Sequence, residues 1–320
     1  MQVVPRTDQG DISKDILSGI ALTTLILTVS IYLPVIGFFS ALFVPLPTLF
    51  YRSKLGRKTG AIIPVLTIIL MVVILGGISI DILFFFELLL LGFILSELFE
   101  LELSIEKTLL YACGCVLLTG MVCLLFYSMV SKTGFGTLIS DYVAKNLELT
   151  LVLYKNMGVS DENLRMISAS LDSIKYVLIR TIPAIVVAST FFISWGCLLL
   201  ARPMLLSKNL FFPEFGLLNL WKAPESLVWG VIGSGLLLVL PYKSLKIIGL
   251  NGLLILLTVY FFQGIAVVSF YFEKKKLPRI FRFFLYSLIA LQQLVLLLVI
   301  GLGFFDIWLN FRKLETNHHH

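Results

Sequence analysis

Histidine is almost absent from this sequence, and its absence excludes most familiar catalytic and metal chemistry. The only three histidines close the chain, in the segment LETNHHH at 314–320. That segment is typical of an expression-vector remnant, and we assign it no function. Without other histidines there is neither an H-E-x-x-H metal motif nor a Ser-His pair. We therefore expect no metal site, no cofactor and no enzymatic activity.

Phosphate-binding and disulfide signatures are missing as well. No G-x-x-x-x-G-K-[ST] segment occurs, which excludes ATP hydrolysis through a phosphate loop of this kind. The four cysteines, Cys113, Cys115, Cys123 and Cys197, fall in predicted membrane helices and form no C-x-x-C pair. Free cysteine in such helices packs as a small apolar residue, so we predict no disulfide framework.

Charge is scarce, and long apolar runs take its place. Charged residues are 14% of the 320 residues and hydrophobic residues are 58%, whereas a soluble domain carries about 25% charged residues. A bilayer core roughly 30 Å thick needs about 20 apolar residues per helix. Because the runs are continuous rather than alternating, they favour helices over barrel strands. Such runs lie at 15–33, 61–77, 108–130, 176–200, 249–272 and 283–308.

The pattern predicts an all-α polytopic transmembrane bundle with eight or nine spans. The first helix is expected to end at Pro34, and the short apolar segment 37–51 should be kinked or broken at Pro45 and Pro47. Further helices are predicted at 59–77, 80–98, 107–130, 227–240, 245–272 and 282–308. The predicted organisation is an N-terminal transmembrane bundle (1–130), an extramembrane amphipathic insertion (131–173) and C-terminal transmembrane helices (174–313).

The net charge of +6 comes mainly from short loops between apolar helices. Residues 52–58 hold four of the basic residues, and a second basic cluster lies at 274–279. The positive-inside bias places both loops in the cytoplasm. Counting helices places the acidic turn at 97–106 on that side too. The partner of this charge is the lipid bilayer, and nucleic acid is excluded.

Residues 131–173 are too polar to span a membrane. Leu138, Tyr142, Leu149 and Val152 recur at helical spacing, which predicts an amphipathic helix on the membrane surface. Ser160-Asp161 is typical of the N-cap of a second helix that runs into the following span.

Three polar residues inside apolar helices are the candidate ligand-binding residues: Glu87, Asn251 and Gln263. An intramembrane carboxylate is expensive and indicates function, although Glu87 could instead reach the headgroups or a loop cation. Asn251 and Gln263 are about 120° apart around one helix. Each could contact a ligand or bond a neighbouring helix, which is the commoner use of a buried amide.

The end of the last helix holds a second set of polar residues, Asp306, Asn310 and Arg312, beside Trp308. Asp306 and Asn310 are one turn apart and share a face. We interpret this set as a structural anchor in which a nearby Arg or Lys holds the carboxylate. Gly230 and Ser234, also one turn apart, predict close packing of another helix.

The sequence resembles the YybS-like bacterial membrane proteins, a family of unknown function. The similarity is carried by Leu46-Pro47 and the basic turn into Gly60, and mainly by later segments. These are IGLNGLLI at 248–255, YFFQGIA at 260–266, LPRIFR at 277–282 and GLGFFDIWLNFRK at 301–313.

The resemblance implies a relation to the S components of energy-coupling-factor transporters. Those are small helical bundles without an ATPase of their own, which bind a vitamin or metal and dock on an energising module. It implies an S-component-like core in the bacterial inner membrane and partner membrane or ATPase subunits. This chain departs from them in its greater length, its 131–173 segment and its lack of an A-x-x-x-A stripe in the first helix.

Two functions follow as hypotheses. The first is an S-component-like protein that binds a small or lipid-like ligand, or helps to transport it, with partner subunits. The second is a structural or assembly protein of the cell envelope that acts as a membrane scaffold.

Overall fold

The fold is helical wherever the structure describes it. The computed structural model describes residues 9–33, 37 and 39–313, and no strand occurs among them. The all-α prediction is therefore confirmed over these residues. Pro34 and the predicted vector remnant at 314–320 lie outside the described residues.

The chain forms two compact units. The first contains residues up to Asn156 together with Ser189–Glu214, and the second contains Met157–Ala188 and the chain from Phe215 onward. The division passes through the interior of one long helix.

The first unit is a set of helices, and those within residues 45–156 are joined by short turns. Apolar helices pack against each other here because a helix satisfies its own backbone groups and leaves only side chains to be matched. The helices are α1 (Gln9–Tyr32), α2 (Pro45–Leu55), α3 (Arg57–Gly60), α4 (Ile62–Leu75), α5 (Ile80–Phe99), α6 (Ile105–Val130) and α7 (Phe135–Asn156).

Local signals set the ends of these helices. Ser79 caps α5 by accepting a hydrogen bond from the Ile82 N–H at 3.3 Å, and Gly76 ends α4 at a left-handed φ of 74°.

The segment 37–51 is broken, as predicted: residues 41–44 form a turn, and Pro45 begins α2. Pro45 and Pro47 both fit its first turn, because the N–H that proline lacks would have no intrahelical partner there.

The long helix α8 (Asp161–Leu206) has 46 residues. Its N-terminal part belongs to the second unit and its C-terminal part, from Ser189, to the first. The helix begins immediately after Ser160 and continues into the apolar run, as the sequence predicted.

The second unit contains the remaining helices and one short 3₁₀ turn. These elements are the turn Leu218–Leu220 and the helices α9 (Leu227–Val239), α10 (Lys243–Lys274), α11 (Arg279–Leu291) and α12 (Gln293–Leu309).

The prediction of one continuous helix at 282–308 is wrong, because the structure has two helices there. α11 and α12 meet at 101° because Gln292 takes an extended conformation, with φ −102° and ψ 109°. The Gln292 N–H still bonds the Leu288 carbonyl at 2.9 Å, and its carbonyl accepts from the Leu296 N–H at 3.0 Å. The bend therefore leaves both backbone groups of Gln292 paired.

Small residues bring α10 close to its neighbours. A Cβ on Gly264 would lie 2.8 Å from the Val299 carbonyl carbon, and one on Gly303 would lie 2.6 Å from the Gly264 N. α10 and α12 thus touch backbone to backbone. The predicted close packing near Gly230 is confirmed, since a Cβ there would contact Leu256 at 3.0 Å.

Six helices of the described chain are long and apolar enough to cross a membrane, or seven if the bent α11–α12 pair is one span. The expected eight or nine spans are not confirmed. The segment at 227–240 forms only the 13-residue helix α9, which is short for a bilayer core about 30 Å thick.

Candidate functional site

Glu87 is an ionisable side chain inside an apolar helix. It lies seven residues into α5, about 10 Å along the helix axis, and is half-buried. Within the described residues no hydrogen bond or ion pair reaches its carboxylate. The alternative in which a loop cation pairs with Glu87 is therefore not seen in the described part of the chain.

A notch on α6 receives the Glu87 side chain. A Cβ on Gly120 would lie 2.6 Å from the Glu87 Cδ and would also collide with Oε1. Glycine at 120 therefore makes the space that the carboxylate occupies. Ala or any larger residue there would push the carboxylate out of this position.

The ends of α2 and α5 form an ion cluster that the sequence did not predict. Arg52, only 2% exposed, donates from Nε to Glu97 Oε1 at 2.8 Å and from Nη2 to Glu100 Oε2 at 3.1 Å. It also donates from Nη1 to the Ser96 carbonyl at 3.1 Å. Burial works to lower the pKa of Arg52, but the hydrogen bonds to Glu100 and Glu97 outweigh it and raise the pKa. Arg52 therefore stays cationic.

The sequence contained a signal for this cluster. Glu97 and Glu100 are three residues apart, so they share a face at the end of a predicted helix. What the sequence does not reveal is that Arg52, one of four basic residues in a short segment, is the one that turns inward.

At the opposite end of α5, the amphipathic helix α7 is tied to the first unit. The Tyr142 hydroxyl donates to Asp81 Oδ1 at 2.8 Å. Burial, reinforced by the Asp81 carboxylate, raises the pKa of Tyr142 to about 12. Leu149 and Val152, by contrast, are exposed, as expected of a helix that rests on a membrane surface.

Asn251 of α10 spans two backbone groups of α8, beside Pro183. Its Oδ1 accepts from the Ala184 N–H at 2.9 Å, and its Nδ2 donates to the Arg180 carbonyl at 2.8 Å. These are the groups that bond each other in a regular helix, so the side-chain amide bridges the turn next to a proline. Asn251 thus bonds a neighbouring helix, which is one of the two roles that the sequence left open for it.

Gln263 joins a buried polar network at the end of the second unit. It is 0% exposed, accepts from the Ala223 N–H at 3.2 Å and donates to Asp306 Oδ2 at 3.3 Å. The same Asp306 oxygen accepts from Arg312 Nη2 at 2.7 Å, and neither side chain of this ion pair is exposed. Arg312 Nη1 also donates to the Trp221 carbonyl at 3.0 Å.

The network extends through amides and a lysine. Lys222 Nζ donates to Asn310 Oδ1 at 3.2 Å, and Asn219 Nδ2 donates to Glu273 Oε2 at 2.6 Å. Three buried polar atoms in it have no hydrogen-bond partner within the described residues: Asn219 Oδ1, Asp306 Oδ1 and Arg312 Nε.

The predicted ligand-binding residues belong to two different units. Glu87 belongs to the first unit, whereas Asn251 and Gln263 belong to the second. Within the second unit, Gln263 meets Asp306 and Arg312, so one expected ligand residue and two expected anchor residues share a network. Neither amide resembles an open ligand contact, and Glu87 alone keeps its polar atoms free of described partners.

No group of three or more metal-binding side chains occurs in the described part of the chain. Cys113, Cys115, Cys123 and Cys197 are free thiols. Cys113 contacts the Ser194 hydroxyl at 3.6 Å inside the first unit.

Comparisons with known proteins add the following. A family model described as "Predicted membrane protein (DUF2232)" matches residues 21–307. The chain is also similar to a protein of Bacillus subtilis (strain 168) described as "Uncharacterized protein YybS". The two are 25% identical over 274 residues, which cover 81% of this chain and 84% of the relative. No solved structure matches the chain significantly.

Proposed function

The chain belongs to the DUF2232 family of predicted membrane proteins, and from that premise we propose that it binds a small or lipid-like ligand inside the bilayer. It helps to transport that ligand together with partner membrane or ATPase subunits, and it has no catalytic activity of its own. We place it as a multi-pass protein in the bacterial inner membrane, with an S-component-like core.

The observation that carries this proposal is the Glu87 carboxylate. An ionisable side chain within a membrane span is rare and normally pairs with another group or serves a ligand or ion pathway. Glu87 has no partner among the described residues, and the notch at Gly120 holds it in place between two helices. We infer that its partner is a cationic group of the ligand, such as an amine.

Two further features support a transport role. The chain has no phosphate loop, so energy would have to come from another subunit. Its six or seven apolar helices are close to the number that the resemblance to S components implies.

The test compares the wild-type chain with Glu87→Gln, which keeps the shape of the side chain and removes its charge. Both are purified from native membranes in nanodiscs, and co-purified small molecules and proteins are identified by mass spectrometry. The wild type should retain an amine-bearing small molecule and an ATPase or transmembrane partner. The Glu87→Gln variant should lose the small molecule and keep the partner.

A matched control is Glu148→Gln, which removes an exposed carboxylate of α7 in the same unit. This variant should behave as the wild type. Absence of both a ligand and a partner from the wild-type sample would refute the proposal. Equal ligand retention by the Glu87→Gln variant would refute the role of the carboxylate.

The alternative function, a scaffold or assembly protein of the cell envelope, has one observation in its favour. In the second unit the amides of Asn251 and Gln263 are bonded to protein groups, as in a bundle built for rigidity. A scaffold predicts envelope proteins, and no small molecule, in the same purification. The scaffold function also predicts that Glu87→Gln leaves the set of co-purified proteins and small molecules unchanged.

A further inference from the structure

A groove in the first unit has the size and lining of a binding site for an acyl chain. Its volume is about 310 Å³, and its wall is mainly apolar. The wall is formed by side chains of α1, of α2 and the turn before it, and of the end of α8, and these include Ile26, Phe43, Phe50 and Met204. Pockets that bind small organic ligands begin at about this volume. Because the lining is apolar, the part of an occupant inside the groove must be apolar too.

On α1 the groove is lined by residues of the apolar part of that helix. Lys54 Nζ and Asp15 pair at 2.7 Å where α2 and α1 meet. Leu22 and Ile26, which line the groove, follow Asp15 along α1 by about 10 Å and about 16 Å. The groove therefore lies alongside the apolar part of α1, beyond the level of this ion pair.

A lysine stands in the lining of this apolar groove. Lys208 lines it together with Ser207, immediately beyond the end of α8 at Leu206. Lys208 is exposed, and its side chain makes no hydrogen bond or ion pair with any described residue. The Ser207 hydroxyl donates to the Met204 carbonyl at 2.9 Å, so Lys208 supplies the positive charge available to an occupant.

We propose that the groove binds an anionic phospholipid of the surrounding bilayer, with an acyl chain along Ile26 and Phe43 and the phosphate against the Lys208 ammonium. The charge complementarity selects an anionic over a zwitterionic headgroup, because a lysine near a membrane surface attracts anionic lipid. This site is separate from Glu87 and goes beyond the proposed function.

Native mass spectrometry of the purified full chain tests the proposal. The chain is titrated with phosphatidylglycerol or phosphatidylcholine carrying the same palmitoyl and oleoyl chains. The wild type should hold one phosphatidylglycerol more tightly than phosphatidylcholine. Lys208→Gln should weaken phosphatidylglycerol binding about fivefold and leave phosphatidylcholine binding unchanged.

The matched control is Lys246→Gln, which removes an exposed lysine of the second unit and should bind as the wild type does. Met204→Trp fills the groove and should weaken both lipids equally. Glu87→Gln should leave phosphatidylglycerol binding unchanged, which distinguishes the groove from the proposed ligand site at Glu87.

Three results would overturn the proposal. The first is equal wild-type affinity for the two phospholipids, which would remove the role of charge. The second is an effect of Lys208→Gln no larger than that of Lys246→Gln. The third is oleate displacing phosphatidylglycerol at equal concentration, which would assign the groove to a free fatty acid.

Discussion

Asp306→Asn is the most informative stability test of the second unit. The substitution keeps the shape of the side chain but removes the negative charge beside Arg312, whose side chain is fully buried. The guanidinium would keep its bonds to the Asn219 and Trp221 carbonyls, at 2.8 and 3.0 Å, without a counter-charge. Breaking a buried pair by removing one partner costs about 3–5 kcal/mol. For a unit of this size that lowers Tm by roughly 6–20 °C.

The assay is thermal unfolding in detergent followed by tryptophan fluorescence, since Trp221 is buried and its carbonyl accepts from Arg312. Asp172→Asn removes an exposed carboxylate of the same unit and should change the free energy of unfolding by less than about 0.5 kcal/mol. Arg312→Leu should be more destabilising than Asp306→Asn. It also leaves the Asn219 and Trp221 carbonyls without a hydrogen-bond donor, at about 1–3 kcal/mol each.

A double variant separates charge pairing from packing. Asp306→Leu combined with Arg312→Leu leaves no unpaired buried charge, so it should be less destabilising than the sum of Asp306→Leu alone and Arg312→Leu alone. If both single variants unfold within about 2 °C of the Asp172→Asn control, the network does not hold the second unit together. The reasoning from burial would then be refuted.

Three further outcomes are expected. Arg52→Met should destabilise the first unit by about 1–3 kcal/mol in the same assay, because it removes the hydrogen bond to the Ser96 carbonyl and leaves two partly exposed carboxylates without Arg52. Adding Glu97→Gln and Glu100→Gln should recover part of the loss. Asn251→Leu leaves two backbone groups of α8 without their side-chain partner, so hydrogen–deuterium exchange should accelerate around residue 184 and not elsewhere in that helix. The pKa of Tyr142 is raised from 10.0 to about 12, so its hydrogen bond stabilises fully below pH 10 and is lost as pH rises through 12. The Tm advantage of the wild type over Tyr142→Phe should shrink across that window, and an advantage that is constant up to pH 12 would contradict this.

The positions of most helices could be predicted because they depend on run length alone. The helices predicted at 80–98 and 107–130 were found as Ile80–Phe99 and Ile105–Val130. The YybS-like resemblance is confirmed by the family match and the relative, whereas the relation to S components stays a prediction. The bend at Gln292 could not be predicted, because neither Gly nor Pro marks it and only a backbone conformation creates it.

Of the candidate site, too, only one part could be predicted from the sequence. Glu87 was recognisable because a carboxylate after three phenylalanines in an apolar run is anomalous by itself. The roles of Asn251 and Gln263 depend on which helix faces them, and one amide in an apolar helix has the same sequence signature whether it meets a ligand or a neighbouring backbone. The burial of Arg52 likewise depends on two glutamates that lie far away in sequence.

The contacts at the two ends of α5 indicate which chain segments lie on the same side of the membrane. Arg52 can reach Glu97 only if the chain between them passes through the bilayer an even number of times, and the two apolar helices there, at 57–75 and 80–99, supply that number. Tyr142 fastens α7 to the other tip, at Asp81. If both apolar helices cross the bilayer, the basic stretch and α7 face different aqueous phases, and an impermeant amine reagent that labels Lys145 from one side should spare Lys58.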